Sequence, residues 1–216
     1  MMVQTDSEKY LIIGAGSVGG HIAYNFEDYR PVGELLGFLD DDPSKIGSRV
    51  FDYEVLGPIS SIEEYEGVQV VLGLAFPAIK KRLYYQITEL GEFEFPTLIS
   101  KYAWVSSEVD IGKGSIIYPG CSINYNCSVG DFVIMNLNCA LGHDTKIGDF
   151  SSLAPGVKTA GKTHIGLAVD IGIGVSTRQS VIIGSSSLIG GQSFVSSDIP
   201  EKSLAYGVPA KVIRKL

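Results

Sequence analysis

Two places in this sequence hold residue types and spacings that could do chemistry. The first is His143 followed directly by Asp144, in the stretch from Asn136 to Gly148. A neutral imidazole, with an ordinary pKa near ~6.5, can accept a proton at physiological pH. A carboxylate on its far ring nitrogen fixes the tautomer and stabilises the imidazolium that forms. Such a pair suits a general base that takes a proton from an attacking nucleophile. On these residues alone, a solvated surface histidine fits equally well. The second place is Gly14-Ala15-Gly16-Ser17-Val18-Gly19, which follows the apolar run Tyr10–Ile13. Between a strand and a helix, this G-x-G-x-x-G turn aims backbone N–H groups at a helix start, where phosphate is favoured. Glycines needed only for close helix–strand packing are the plainer alternative. The other histidines draw less interest: His21 reads as helix-surface packing and His164 as an exposed strand position.

The elements that must position His143 follow from a repeat. Stepping by six from Val105 to Val195 meets an aliphatic residue every time except at Thr159 and Thr177. The residue after each is mostly small or turn-forming, with Tyr118 and Arg178 as bulky exceptions. Two residues before each, from Ala103 to Ser193, every side chain is small or β-branched. Neither a helical period nor simple strand alternation singles out every sixth residue. Short strands joined by tight turns explain both registers. Three hexapeptides make one triangular coil, so residues eighteen apart stack at the ~4.8 Å spacing of neighbouring strands. About five such coils are expected, with no loop inserted and a cap at the end. Cys121, Cys127 and Cys139 all fall in the small inward register, which makes them packing residues rather than reactive thiols. Cys121 and Cys139 should stack directly.

The residues ahead of the repeat read as an α/β unit. A strand over Tyr10–Ile13 runs through the glycine turn into a helix to about Phe26. A second strand, Glu34 to Leu39, ends in Asp40-Asp41-Asp42, and a third, Val68 to Leu74, precedes a helix from Pro77 to Leu90. An acid such as Asp40 would hold the ribose of a dinucleotide in a dehydrogenase. Roughly a hundred residues make only one mononucleotide-binding half, so a single nucleotide is expected. The fold class is thus an α/β Rossmann-like domain over residues 1–100, followed by a left-handed parallel β-helix over residues 101–216.

Composition sets the outer limits. The 216 residues are 45% apolar and 19% charged, which allows a true core and excludes a disordered chain. A net charge of −7 disfavours a nucleic-acid binder. From Val157 onward, however, seven basic residues stand against three acids, leaving −11 for the remainder, and such a basic end suits a phosphate-rich ligand or plain solvation. The polar, acidic start from Met1 to Glu8 lacks the pattern of a secretory leader, and no apolar run is long enough to span a membrane. A cytoplasmic enzyme is the expectation, with no metal site, since the odd cysteine count offers no C-x-x-C pair.

These motifs resemble the hexapeptide-repeat sugar acyltransferases of the bacillosamine and sialic-acid pathways, the PglD and NeuD type. The stretch Asn136 to Gly148, the closing Gly207-Val208-Pro209-Ala210-Lys211 and the turn Gly37-Phe38-Leu39-Asp40-Asp41-Asp42 carry the resemblance. It implies a homotrimer formed along the β-helix, acetyl-CoA between subunits, and a nucleotide-linked amino sugar held by the front domain, in a pathway of polysaccharide biosynthesis. It places His143 on the general base, Asp144 on the carboxylate that orients it, and Asn136 near the reacting groups. Gly161, Ile173 and Gly191 fall where the family contacts the cosubstrate, and Asp40 and Asp41 where it holds the nucleotide beside Gly14, Gly16 and Ser17. Ser152 stands where the family commonly has a second histidine near the acetyl carbonyl, and Arg178 is a candidate for a CoA phosphate. The departure at Ser152 keeps open a non-catalytic nucleotide-sugar scaffold, and O-acetylation of a free sugar such as sialic acid is a third reading.

Overall fold

The computed structural model describes residues 8–29 and 31–216, so most of the acidic start that argued against a leader lies outside the described residues. Contacts divide the chain into two units. One comprises the described residues up to Leu74 together with Arg82–Pro96; the other comprises Ala75–Lys81 and Thr97–Leu216.

The first unit is a mainly parallel sheet around β1 (Glu8–Ile13). Because Leu11, Ile12 and Ile13 are apolar without alternation, both faces of β1 must be covered, and all three are fully buried. Strands β2 (Gly33–Leu39) and β5 (Gln69–Leu72) pair with it in parallel on either side. A short antiparallel pair, β3 (Arg49–Val50) and β4 (Tyr53–Gly57), extends the sheet, whose order is β3-β4-β2-β1-β5. This pair was not foreseen, since strands of two and five residues are too brief to show a period in the sequence. Helix α1 (Ser17–Tyr24) stops earlier than expected; Asn25 closes it by donating to the His21 carbonyl, and a 3-10 turn follows over Phe26–Tyr29. Helix α2 spans Pro77–Leu90 as the pattern indicated, with proline at its first position, where a missing N–H costs nothing.

The second unit is a parallel β-helix of two-residue strands in three sheets, an arrangement that fits a left-handed coil. One sheet starts at Leu98–Ile99, the next at Trp104–Val105 and the third at Asp110–Ile111. Every rung pairs with the residue eighteen ahead, as in Ile123 with Leu141 and Ile147 with Ile165. The inward residues are buried from Ile117 to Val195, whereas Val105 and Ile111, in the first coil, are half-buried. A hairpin of Ser203–Gly207 and Ala210–Lys215 caps the last coil. The three cysteines are free and buried; the Cys121 thiol donates to the Asn136 carbonyl and the Cys139 thiol to that of Ala154, and the neighbouring Cys121 together with burial pushes the Cys139 thiol up.

The corners carry a third register that composition concealed. Every sixth residue from Glu108 to Gln192 has a positive φ, between 54° and 75°, and only Gly114, Gly120, Gly156 and Gly174 among them are glycines. The glycines one place after the inward residues answer a different need. At Gly148, an added Cβ would lie 2.7 Å from the backbone of Gly166 and Leu167 in the next coil. Gly148→Ala is therefore expected to lower stability by about 1–3 kcal/mol through overpacking. Urea unfolding that leaves this variant as stable as the parent would contradict close coil packing.

Candidate functional site

The corner after the Ala140–Leu141 strand presents His143 and Asp144. Asp144 has φ 59°, a conformation that Asp tolerates better than most residues, and its amide donates to the carbonyl of Tyr125 one coil below. That turn brings Asp144 Oδ2 to 2.6 Å from His143 Nδ1, with both side chains about one-third exposed. The hydrogen bond with His143 is the largest influence holding the Asp144 carboxyl below its usual range, with Asn126, whose Nδ2 lies 3.4 Å from Oδ1, adding to it. Below the imidazole, the Tyr125 ring stacks at 5.5 Å and 12°. On the other side lies Gly161, where an added Cβ would stand 2.5 Å from His143 Nε2. The imidazole is thus held by a carboxylate at one nitrogen, with a ring on one side and a bare backbone on the other. Tyr125 and Asn126 escaped sequence reasoning because they sit eighteen residues back from the pair; that spacing is the signal that finds them.

Other expected site residues are distributed over the coil. Ile173 is exposed and touches Gly191, whose added Cβ would lie 3.1 Å from Ile173 Cγ2, at the corner between the first two sheets. Asn136 belongs to that same corner, two coils earlier, and its Oδ1 accepts from the Leu137 amide. Arg178 is exposed one coil beyond Gly161 on the His143 corner. Ser152 is not brought to either corner. It is 5% exposed, donates to the Ala75 carbonyl and accepts from Lys80 Nζ at 2.9 Å. A serine so engaged is a structural partner of Lys80. Burial pushes the Lys80 amine down to about 7, against the pull of nearby Asp170.

In the first unit, Asp40 binds the glycine turn to its own turn. Its Oδ2 accepts from the Ala15 amide at 2.8 Å and from Lys45 Nζ at 2.8 Å, while Oδ1 accepts from the Asp42 amide at 2.9 Å. Asp41 Oδ1 accepts from the Ile59 amide at 2.8 Å. The glycines divide by purpose. An added Cβ at Gly19 would lie 2.0 Å from the Gly14 carbonyl, whereas at Gly16, which precedes Ser17 at the start of α1, it would meet nothing within 4 Å. Gly14, with φ 98°, is conformationally required. His21 is half-buried with Nε2 3.0 Å from the Tyr29 hydroxyl, a packing role, and His164 is exposed. Among the described residues, no group of three or more His, Cys, Asp or Glu could hold a metal ion, and no helix is long and apolar enough to cross a membrane.

Comparison with solved structures gives these features their setting. The acetyltransferase domain of PglB from Neisseria gonorrhoeae, in complex with acetyl coenzyme A, superposes with a TM-score of 0.87 at 28% identity, covering 96% of this chain and all of that one. The chain shares its fold, almost end to end, with hexapeptide-repeat sugar acetyltransferases. PerB from Caulobacter crescentus, in complex with CoA and GDP-perosamine, gives a TM-score of 0.86 at 25% identity over 94% of this chain and 96% of its own. A protein of Staphylococcus aureus (strain COL) that carries an acetyltransferase name is 43% identical over 61 residues, 28% of this chain. The chain spans about a third, 31%, of that relative's length. No protein-family model matches.

The Asp40 network yields a pH prediction. Burial opposes its ionisation, but the bonds from Lys45, the Asp42 amide and the Ala15 amide outweigh this and hold its carboxyl below the usual range. A carboxyl depressed in the folded state stabilises fully above the unfolded value, near ~4, and the contribution is lost as pH falls through the lower folded value. Asp40→Asn should lower stability at neutral pH by about 1–2 kcal/mol, with the gap to the parent closing towards pH ~3. Unfolding curves that stay equally separated at both pH values would exclude this carboxylate as the tie.

Proposed function

We propose that the chain is an acetyl-CoA-dependent N-acetyltransferase acting on the amino group of a nucleotide-linked amino sugar. The observation that carries this reading is the His143 corner. With Nδ1–H directed at Asp144, 2.6 Å away, Nε2 is left as the acceptor. His143 Nε2 takes the proton as the amine nitrogen bonds to the thioester carbonyl carbon. The carbon–sulfur bond then breaks, and His143 returns the proton to the departing sulfur. Asp144 pairs with the imidazolium between these steps. Acetyl coenzyme A bound to the PglB domain and CoA with GDP-perosamine bound to PerB support both substrate classes.

Features of this chain fit the same assignment. An exposed Ile173 beside Gly191 offers an apolar, unobstructed strip for a pantetheine arm. That strip and Asn136 belong to one corner of the coil, while His143, Asp144, Gly161 and Arg178 belong to the next. A site using both would be completed by a neighbouring copy, which supports a homotrimer with acetyl-CoA between subunits. The first unit serves as a Rossmann-like holder for the nucleotide, with Gly14, Gly16, Ser17, Asp40 and Asp41 at its binding edge. Gly16, free of any packing constraint, leaves room for a ligand against the backbone. We place the enzyme in the cytoplasm, in polysaccharide biosynthesis.

The test is release of free CoA from acetyl-CoA with a panel of nucleotide-linked amino sugars. His143→Ala should reduce turnover about 10²–10⁴-fold. Gly161→Ala, which pushes the ring from its seat, should reduce it while leaving the thermal midpoint nearly unchanged. Parental turnover in His143→Ala would refute the assigned base. UDP, GDP and dTDP, screened by thermal shift, should include at least one that stabilises the folded chain.

A further inference from the structure

The inward register is aliphatic except at Thr159 and Thr177, and both exceptions lead into the corner stack that carries His143. Thr159 Oγ1 lies 3.2 Å from the Gly142 amide nitrogen and 3.2 Å from Thr145 Oγ1. Those two partners bracket His143 and Asp144, so one hydroxyl grips both ends of the turn from inside the prism. The arrangement repeats one coil on. Thr177 Oγ1 lies 3.2 Å from the Ala160 amide nitrogen and 3.0 Å from Thr163 Oγ1, bracketing Gly161.

The pattern departs from its surroundings in a specific way. Earlier in the coil, hydroxyls and thiols of the small register donate to the carbonyl fifteen residues on, as Ser115 does to Gly130, Cys139 to Ala154 and Ser151 to Gly166. Thr145 turns instead to the inward Thr159, and Thr163, which donates to the Ala160 carbonyl at 2.8 Å, meets the inward Thr177. The Gly142 peptide is held at its other end too, since Cys127 Sγ donates to its carbonyl at 3.2 Å. An aliphatic residue at 159 or 177 would fill the core as it does in every other rung, yet it would release these turns.

We propose that Thr159 and Thr177 are positioning residues for acyl transfer, their inward hydroxyls fixing the His143 turn and the Gly161 turn above the imidazole. The kinetic readout rests on the acyltransferase reading; the geometry does not.

The decisive variant is T145V/T159V, which removes both hydroxyls together and so leaves no buried polar group unpaired. Gly142 keeps its backbone bond to the Thr159 carbonyl at 3.0 Å. The double variant should melt at or above the parental temperature yet lose about tenfold or more in kcat, with KM unchanged. T159S keeps the hydroxyl and loses the methyl, so it should be less stable but retain parental kcat. T163V/T177V should lose kcat likewise but melt lower than the parent, because the Ala160 amide is held by Thr177 Oγ1 and its carbonyl accepts from Thr163 Oγ1 at 2.8 Å. Parental kcat in T145V/T159V, or a T159S enzyme as slow as that variant, would overturn the proposal. Should the parent release no CoA with any nucleotide amino sugar, the acyltransferase reading fails by itself. The proposal is then decided by ¹⁵N NMR of the His143 ring. An Nδ1–H tautomer in the parent and T159S that becomes mixed in T145V/T159V supports it, and one unchanged tautomer in all three overturns it.

Discussion

Everything in the β-helix depends on backbone hydrogen bonds between strands whose aligned residues are eighteen apart. Because each rung donates to the one beyond it, coils approach to strand spacing, and side chains at equivalent places fall into columns. Columns leave few options. Inward places must fill a narrow prism, and the next place must often lack a Cβ because the neighbouring coil's backbone occupies that space. Corner residues must accept a positive φ whatever their type, even Phe132 and Phe150, whose rings stack at 5.1 Å. The reacting group inherits this order. His143 takes its place from a corner it shares with Tyr125 below and Gly161 above, so its surroundings are set by stacking rather than by a flexible loop.

Polar groups inside such a prism are conspicuous, since each must find a partner or cost stability. Among the described residues, no buried side-chain nitrogen or oxygen lacks one. Most of these partners merely tie one coil to the next. The threonine pairs stand apart because they close around the two turns that meet at the imidazole. In the first unit the corresponding device is ionic: Asp40 spends both oxygens on the Ala15 amide, Lys45 and the Asp42 amide, which fixes the glycine turn relative to the turn after β2.

The inward and small registers were legible because burial acts on side-chain type, and a six-residue period survives any local variation. The His143–Asp144 pair was legible for a related reason: adjacency in sequence plus a fixed corner geometry permits only a short list of contacts. What lay hidden was set by shape rather than composition. The positive-φ column could not be read, as only four of its members, Gly114, Gly120, Gly156 and Gly174, are glycines. Ser152 illustrates the same limit. Its hydroxyl bonds to Lys80 and Ala75, contacts across some seventy residues that no local pattern announces. The β3–β4 pair was missed because its strands are short, and pairing alone distinguishes them from turn.

The central claim is that the imidazole of His143 receives the proton of the acceptor amine. It is tested most directly by a crystal structure of the chain with CoA and a nucleotide-linked amino sugar bound together. The account predicts the amine nitrogen within about 3 Å of His143 Nε2, with Nδ1 still on Asp144. An amine bound elsewhere, with His143 facing only water, would contradict it.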